Sequence, residues 1–252
     1  MTNPNPSRST SEKGLGQLLE KSRQLHEYLL TLTDYNPGQP ELEPANYKSF
    51  LDQVAAANQA VDASLAELRI ARDQRAQLYH SDDGLIKRAA RIRDYVASLP
   101  GGKNSAAYRR IQAICQKMRP GGLTRLAPEP DPNSKITPEK KKKISQYEVS
   151  FGSILARGRE LEQILLTLPG YNPPTSDLTP TALDALLDAI ELKNAEVAAK
   201  LAIANQKISL REKLYSTDPT GLRGLNSRIK LAVASQYGKK SPQYTNLTEL
   251  KV

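Results

Sequence analysis

The sequence contains no tryptophan, two phenylalanines, two histidines and a single cysteine, Cys115. With so few aromatic rings, leucine, alanine and isoleucine have to fill the core, and this composition favours helices. One cysteine can form neither an intrachain disulfide nor a cysteine-based zinc cluster, and it indicates a reducing compartment. We therefore expect a cytoplasmic protein.

Long apolar runs are also missing. No stretch of about 18 apolar residues occurs, so the sequence predicts no membrane span. Residues 1–13 are polar and rich in proline, serine and asparagine, without the apolar centre of a secretory signal. We expect them to form a disordered tail.

The feature that organises the chain is a repeat. The segment LLTLTDYNP at 29–37 returns as LLTLPGYNP at 165–173, a shift of 136 positions (165 − 29). Asn58 matches Asn194 at the same shift, and after one added residue Ile92 matches Ile229. Apolar positions keep their character while surface positions drift. A period this long indicates a duplicated domain, because solenoid units are only about 20–50 residues long.

Apolar residues recur at three- and four-residue steps, which predicts helices. No segment alternates for long enough to be a strand. We predict an all-α fold of two tandem antiparallel helical bundles, each with about four helices. The bundles are residues 14–119, called repeat 1, and residues 138–252, called repeat 2. A proline- and glycine-rich linker at 120–137 joins them.

The helix boundaries follow from caps and breakers. In repeat 1 the predicted helices run from about Gly14 to Thr33, Ala45 to Tyr79, Leu85 to Leu99 and Ser105 to Met118. In repeat 2 they run from about Pro138 to Leu168, Thr179 to Tyr215, Leu222 to Ser235 and Ser241 to Leu250.

The second copy carries Leu214-Tyr215, then Gly221-Leu222, a basic amphipathic helix and the motif YGKKSPQY at 237–244. In these residues the chain resembles a group of uncharacterised bacterial helical proteins with a duplicated bundle. The first copy departs from the motif, since Ala106 stands in place of the proline. The resemblance implies the fold, and no activity is attached to that group.

Motifs that could carry chemistry favour structural interpretations. The two Gly-Lys-x-Ser segments, at 102–105 and 238–241, lack the second glycine and the adjacent hydroxyl residue of a phosphate-binding loop, so we interpret them as serine-capped helix corners. His26 and His80 have no convergent ligands at metal-binding spacing, and Cys115 has no partner base. We predict no catalytic residue, no metal and no cofactor.

The tyrosines recur in matched pairs, for example Tyr79 with Tyr215. They are either stacking platforms for nucleic-acid bases or, as we favour, helix-end tyrosines that pack the ring and keep the hydroxyl in contact with water.

Charge is segregated along the chain, which has a formal net charge of +9. Residues 84–119 hold nine basic side chains against one acidic, and 221–252 hold six against one. Residues 41–83 hold four basic against eight acidic. Each repeat therefore combines an acidic long-helix region with a basic short-helix region.

Two functions fit this layout. We expect a non-catalytic structural or protein-interaction protein that assembles with itself or with a protein partner through charge-segregated helical faces. The alternative is a nucleic-acid-binding protein that uses the basic short helices. The candidate contacts to a partner or to phosphate are Arg88, Arg91, Arg93, Arg109, Arg110, Lys140, Lys141, Lys142, Lys143, Arg223, Arg228 and Lys230.

Overall fold

The computed structural model of the chain describes residues 10–118 and 150–250, with side chains from residue 14 onward. These ranges consist of helices and turns and contain no strand, so the predicted all-α class is confirmed. The α-helices of repeat 1 are α1 (Thr10–Leu30), α2 (Pro44–His80), α3 (Leu85–Ser98) and α4 (Ala106–Met118). Those of repeat 2 are α5 (Phe151–Leu166), α6 (Pro180–Leu214), α7 (Leu222–Tyr237) and α8 (Pro242–Glu249).

The helix ends have local causes. Short 3-10 helices precede α2, α4 and α6, at Pro40–Leu42, Gly102–Asn104 and Ser176–Leu178. Prolines open α2 and α6, where the missing backbone donor costs nothing. The first helix ends at Leu30, three residues before the predicted Thr33, because Thr31 and Leu32 donate to the carbonyls three residues back and tighten the chain into turns.

The start of the first helix differs from the expected boundary. Because α1 begins at Thr10, residues 10–13 of the expected tail belong to that helix. The expected linker at 120–137 and the expected helix start near Pro138 lie outside the described residues, as do Lys140 to Lys143. Within the described ranges, no helix has the length and apolar character needed to cross a membrane.

The compact units of the structure do not follow the domain boundaries expected from the repeats, 14–119 and 138–252. Among the described residues, unit 1 comprises 10–67 and 201–250, and unit 2 comprises 68–118 and 150–200. Unit 1 therefore contains α1, the first part of α2, the last part of α6, α7 and α8. Unit 2 contains the last part of α2, α3, α4, α5 and the first part of α6. Each unit thus joins the first half of one repeat to the second half of the other.

The length of α2 and α6 explains this division. Neither helix contains a glycine, and proline occurs only as the first residue of each. Neither helix therefore contains a residue that would break or kink it in its interior. Each long helix runs without a break from one unit into the other. Asn58, in the first part of α2, belongs to unit 1, and Tyr79, in its last part, belongs to unit 2.

Both hydrophobic cores show the same exchange. The core of unit 1 packs Leu25 and Leu29 of repeat 1 with Ile229 and Val233 of repeat 2. The core of unit 2 uses the matching positions with the repeats interchanged: the buried residues are Leu161, Leu165, Ile92 and Val96. Burial of these side chains supplies the main stabilisation of each unit.

Matched core truncations test this division. Ile229→Ala should cost about 2–5 kcal/mol and loosen unit 1. In hydrogen–deuterium exchange, amide protection should then fall in α1, which belongs to the other repeat, and not in α5. The matching change Ile92→Ala should give the converse, with α5 losing protection and α1 keeping it. A loss of protection in α5 caused by Ile229→Ala would contradict the exchanged units.

Candidate functional site: the polar contacts that join the two repeats

Each unit contains the same kind of polar contact between repeat 1 and repeat 2. In unit 1 the Nδ2 of Asn58 donates to the Tyr215 hydroxyl at 2.9 Å. In unit 2 the Nδ2 of Asn194 donates to the Tyr79 hydroxyl, also at 2.9 Å. Asn58 matches Asn194 and Tyr79 matches Tyr215 at the shift of 136 positions. The same bond therefore occurs twice, each time between an asparagine of one repeat and a tyrosine of the other.

Burial fixes the role of these tyrosines. Tyr79 and Tyr215 are 0% and 2% exposed, and burial raises the pKa of both hydroxyls, with the asparagine bond acting in the opposite direction. Tyr79 also donates to the Phe151 carbonyl at 2.7 Å. The favoured interpretation of these two tyrosines is confirmed for the packed rings and wrong for the hydroxyls, which are buried and bonded to asparagine instead of exposed to water.

An ion pair between the repeats also recurs. Arg91 of repeat 1 contacts the Asp177 carboxylate at 2.5 Å in unit 2. Arg228 of repeat 2 contacts the Glu41 carboxylate at 2.6 Å in unit 1. Each basic short helix thus meets the acidic segment before the long helix of the other repeat. Hydrogen bonding to Arg228 lowers the pKa of Glu41, and bonds from Thr175 and then Arg91 lower the pKa of Asp177.

A third contact is confined to unit 2. The Arg75 guanidinium of repeat 1 lies 3.8 Å from the ring centroid of Phe151 in repeat 2, which is a cation–π distance. Its counterpart Arg211 is 9% exposed, and Leu15 stands at the position matching Phe151.

Unit 1 has a buried polar network that unit 2 lacks. The Tyr47 hydroxyl donates to the Asn226 Oδ1 at 2.5 Å, and the Asn226 Nδ2 donates to the Ser22 Oγ at 2.8 Å. Ser22 in turn donates to the Leu18 carbonyl at 2.8 Å. The three side chains are at most 2% exposed, and burial raises the pKa of Tyr47 well above its usual range. The network also joins the repeats, since Asn226 alone comes from repeat 2.

Carboxylates on the long helix of repeat 2 belong to an ion-pair cluster. Arg159 contacts Asp184 at 2.6 Å and Glu162 at 3.3 Å, and it also bonds Asp188. These bonds, led by the one to Asp188, raise the pKa of Arg159 above its ordinary value. The cluster lies within one repeat, and it orders the first helix of that repeat against its long helix.

Cys115 and His26, considered above as a nucleophile and a metal ligand, are both buried. Cys115 is buried and its Sγ lies 3.3 Å from the Ala89 carbonyl. His26 is 6% exposed with its Nδ1 3.3 Å from the Glu27 carboxylate. In the described part of the chain, no three His, Cys, Asp or Glu side chains converge on a metal-sized site. The predicted serine caps are confirmed, because Ser105 and Ser241 each accept from the backbone amide three residues ahead.

A groove of about 620 Å³ lies on unit 1 beside the end of α1. Leu30, Tyr35, Pro37 and Pro44 supply much of its lining, and Lys48 is the lysine among the lining residues. Leu30 is 55% exposed, and its counterpart Leu166 is 59% exposed. The matched exposure places an apolar side chain at the surface where the first helix of each repeat ends.

The candidate phosphate contacts in the described residues differ in their surroundings. Four arginines are engaged inside their own unit: Arg91 and Arg228 in the pairs above, Arg88 with the Ala182 carbonyl, and Arg93 with Asp94. Arg109, Arg110 and Arg223 are exposed. Lys230 is half-buried, and burial lowers its pKa. The pairing between repeats therefore uses part of the basic surface that suggested nucleic-acid binding.

The recurring asparagine–tyrosine bond can be tested by a double-mutant cycle. Asn58→Ala and Tyr215→Phe should show a coupling free energy of about 1 kcal/mol in urea unfolding, because they remove the two partners of one bond.

The control pair is Asn58→Ala with Tyr79→Phe, which lie in the same repeat and are not bonded. Their effects should add to within about 0.5 kcal/mol. Coupling of Asn58 to Tyr79 instead of Tyr215 would show that each repeat closes on itself.

No family model matches the chain, and the comparisons with curated proteins and with solved structures also found no similar protein.

Proposed function

We propose that this chain is a non-catalytic interaction protein and that its helical repeat is a pairing module. On this proposal the chain arose by internal duplication, and repeat 1 binds repeat 2 by exchanging halves. The same contacts also allow assembly with another copy of the chain, whose repeats offer the same surfaces. The observation that carries the proposal is the bond between Asn58 and Tyr215, with its counterpart between Asn194 and Tyr79.

The use of the buried polar groups supports a binding role. Tyr47, Tyr79, Tyr215 and the amides of Asn58, Asn194 and Asn226 each form a hydrogen bond to the other repeat. Buried hydrogen bonds of this kind favour one arrangement of helices over others.

The charges support the same proposal. Arg91 with Asp177 and Arg228 with Glu41 bring a basic short helix of one repeat to an acidic segment of the other. These pairs are partly exposed, so they contribute orientation and partner choice more than affinity. On this proposal, the basic and acidic segments of the sequence serve to orient the two repeats within each unit.

The proposal predicts how association depends on concentration. Two binding modules joined in one chain meet at an effective concentration on the order of millimolar. At about 1 µM, therefore, repeat 1 should pair with repeat 2 of its own chain. After refolding from denaturant at about 1–2 mM, a dimer whose chains share repeats should appear in size-exclusion chromatography with light scattering.

A mixture of light and isotopically heavy chains supplies the control. Refolded together at about 1–2 mM, they should give mixed dimers by native mass spectrometry, whereas mixing after folding should not, since exchange requires unfolding. A monomer at every concentration would contradict assembly with another copy. A shift of duplex DNA that weakens between about 50 and 200 mM salt would favour the nucleic-acid alternative.

A further inference from the structure

The two units differ at three buried positions that correspond to one another. Ser22, Tyr47 and Asn226 form the polar network of unit 1. The matching residues of unit 2, at shifts of 136 or 137 positions, are Gly158, Leu183 and Ala89. One unit thus has three mutually bonded polar side chains where the other has two apolar side chains and a glycine.

The space in unit 2 is filled. A Cβ atom on Gly158 would lie 2.4 Å from the Leu187 Cδ2 and 3.2 Å from a Leu85 methyl carbon. Leu183 and Ala89 are both fully buried. This core therefore has apolar atoms where unit 1 has the Ser22 hydroxyl and the Asn226 amide.

The difference matters because the members of each set come from different repeats. Ser22 and Tyr47 lie in the first half of repeat 1, and Asn226 lies in the second half of repeat 2. If repeat 2 paired with another repeat 2, Asn226 would face Gly158 and Leu183, and its amide would be buried without these partners. If repeat 1 paired with another repeat 1, Tyr47 and Ser22 would face Ala89 and lose their amide partner.

Like-with-like pairing would produce this mismatch twice, since such a pair has two identical units. A buried donor or acceptor without a partner costs its full desolvation free energy. When the hydrogen bond is formed, the bond compensates for that cost. Contacts that occur in both units, such as Asn58 with Tyr215, are formed equally well in every combination of repeats. They stabilise pairing without selecting the partner.

We propose that the Ser22–Tyr47–Asn226 network determines which repeats pair, favouring repeat 1 with repeat 2 and disfavouring pairs of identical repeats. This inference rests on the exchange of halves in the proposed function. It gives the network a specificity role in addition to its part in the core, because one buried polar set can select a pairing when the alternatives leave it unsatisfied. The partner selected is the unlike repeat, in the same chain or in a second copy.

The test uses the full chain with one protease recognition sequence inserted between residues 133 and 134. After cleavage, the two fragments are unfolded in denaturant and refolded together, and native mass spectrometry counts unlike and like pairs. Without a preference, unlike pairs would form half of all complexes. In the wild-type sequence, unlike pairs should exceed like pairs by more than about tenfold, which corresponds to a preference of about 1.4 kcal/mol.

Two variants should shift the ratio. Asn226→Ala gives repeat 2 the residue that repeat 1 already has, so unlike pairs should fall towards half. Asn226→Ala combined with Ala89→Asn moves the amide to repeat 1, where it can bond Ser22 and Tyr47 of the same kind of repeat. Like pairs should then predominate. If the double variant does not fold, the single variant decides.

Tyr215→Phe is the matched control. It also removes a buried bond between repeats, but one that both units possess, so the ratio of unlike to like pairs should stay at the wild-type value. Fragments that refold as separate monomers would overturn the proposed exchange of halves. Paired fragments in which neither variant changes the ratio would overturn the specificity role of the network alone.

Discussion

The uninterrupted length of α2 and α6 is the constraint on which the rest of the structure depends. Each of these helices runs without a break from one unit into the other. Its first part therefore packs in one hydrophobic core and its last part in the other. Each core is completed by residues of the second repeat.

Within this arrangement the apolar core and the polar contacts have different roles. Leucine, isoleucine and valine at matched positions give both units much the same burial, so they supply stability without distinguishing the partner. The bonds of Asn58 and Asn194 to tyrosine also recur in both units. The set formed by Ser22, Tyr47 and Asn226 breaks the symmetry of the buried polar contacts, because its counterpart is apolar, and the contact of Arg75 with Phe151 is a second difference between the units. On the proposal made above, partner choice depends on the buried polar set.

Much of the secondary structure could be predicted from the sequence, because local interactions set it. The start of α3 at Leu85 and the caps at Ser105 and Ser241 agree with the predictions, since glycine, proline and serine act within a few residues. The pairing of halves was not predicted. One signal was available: residues 45–79 contain neither glycine nor proline, so the long helix could not fold back. The sequence also shows that Asn226 stands where the other repeat has Ala89. The role of Asn226 could not be predicted from this difference, because its partners Tyr47 and Ser22 are known only from the structure.

The sequence by itself determined the all-α class, most of the helix positions and the residue correspondence between the two repeats, because periodicity, caps and repeats are properties of residues near one another in the chain or of direct comparison. Only the tertiary structure decided that Asn58 bonds Tyr215 and not Tyr79, and that arginines such as Arg91 and Arg228 bind carboxylates of the other repeat. The physical reason is that matched residues of the two repeats are alike, so the sequence does not distinguish a contact within one repeat from the same contact between the repeats. The folded chain forms the contact between the repeats in both units.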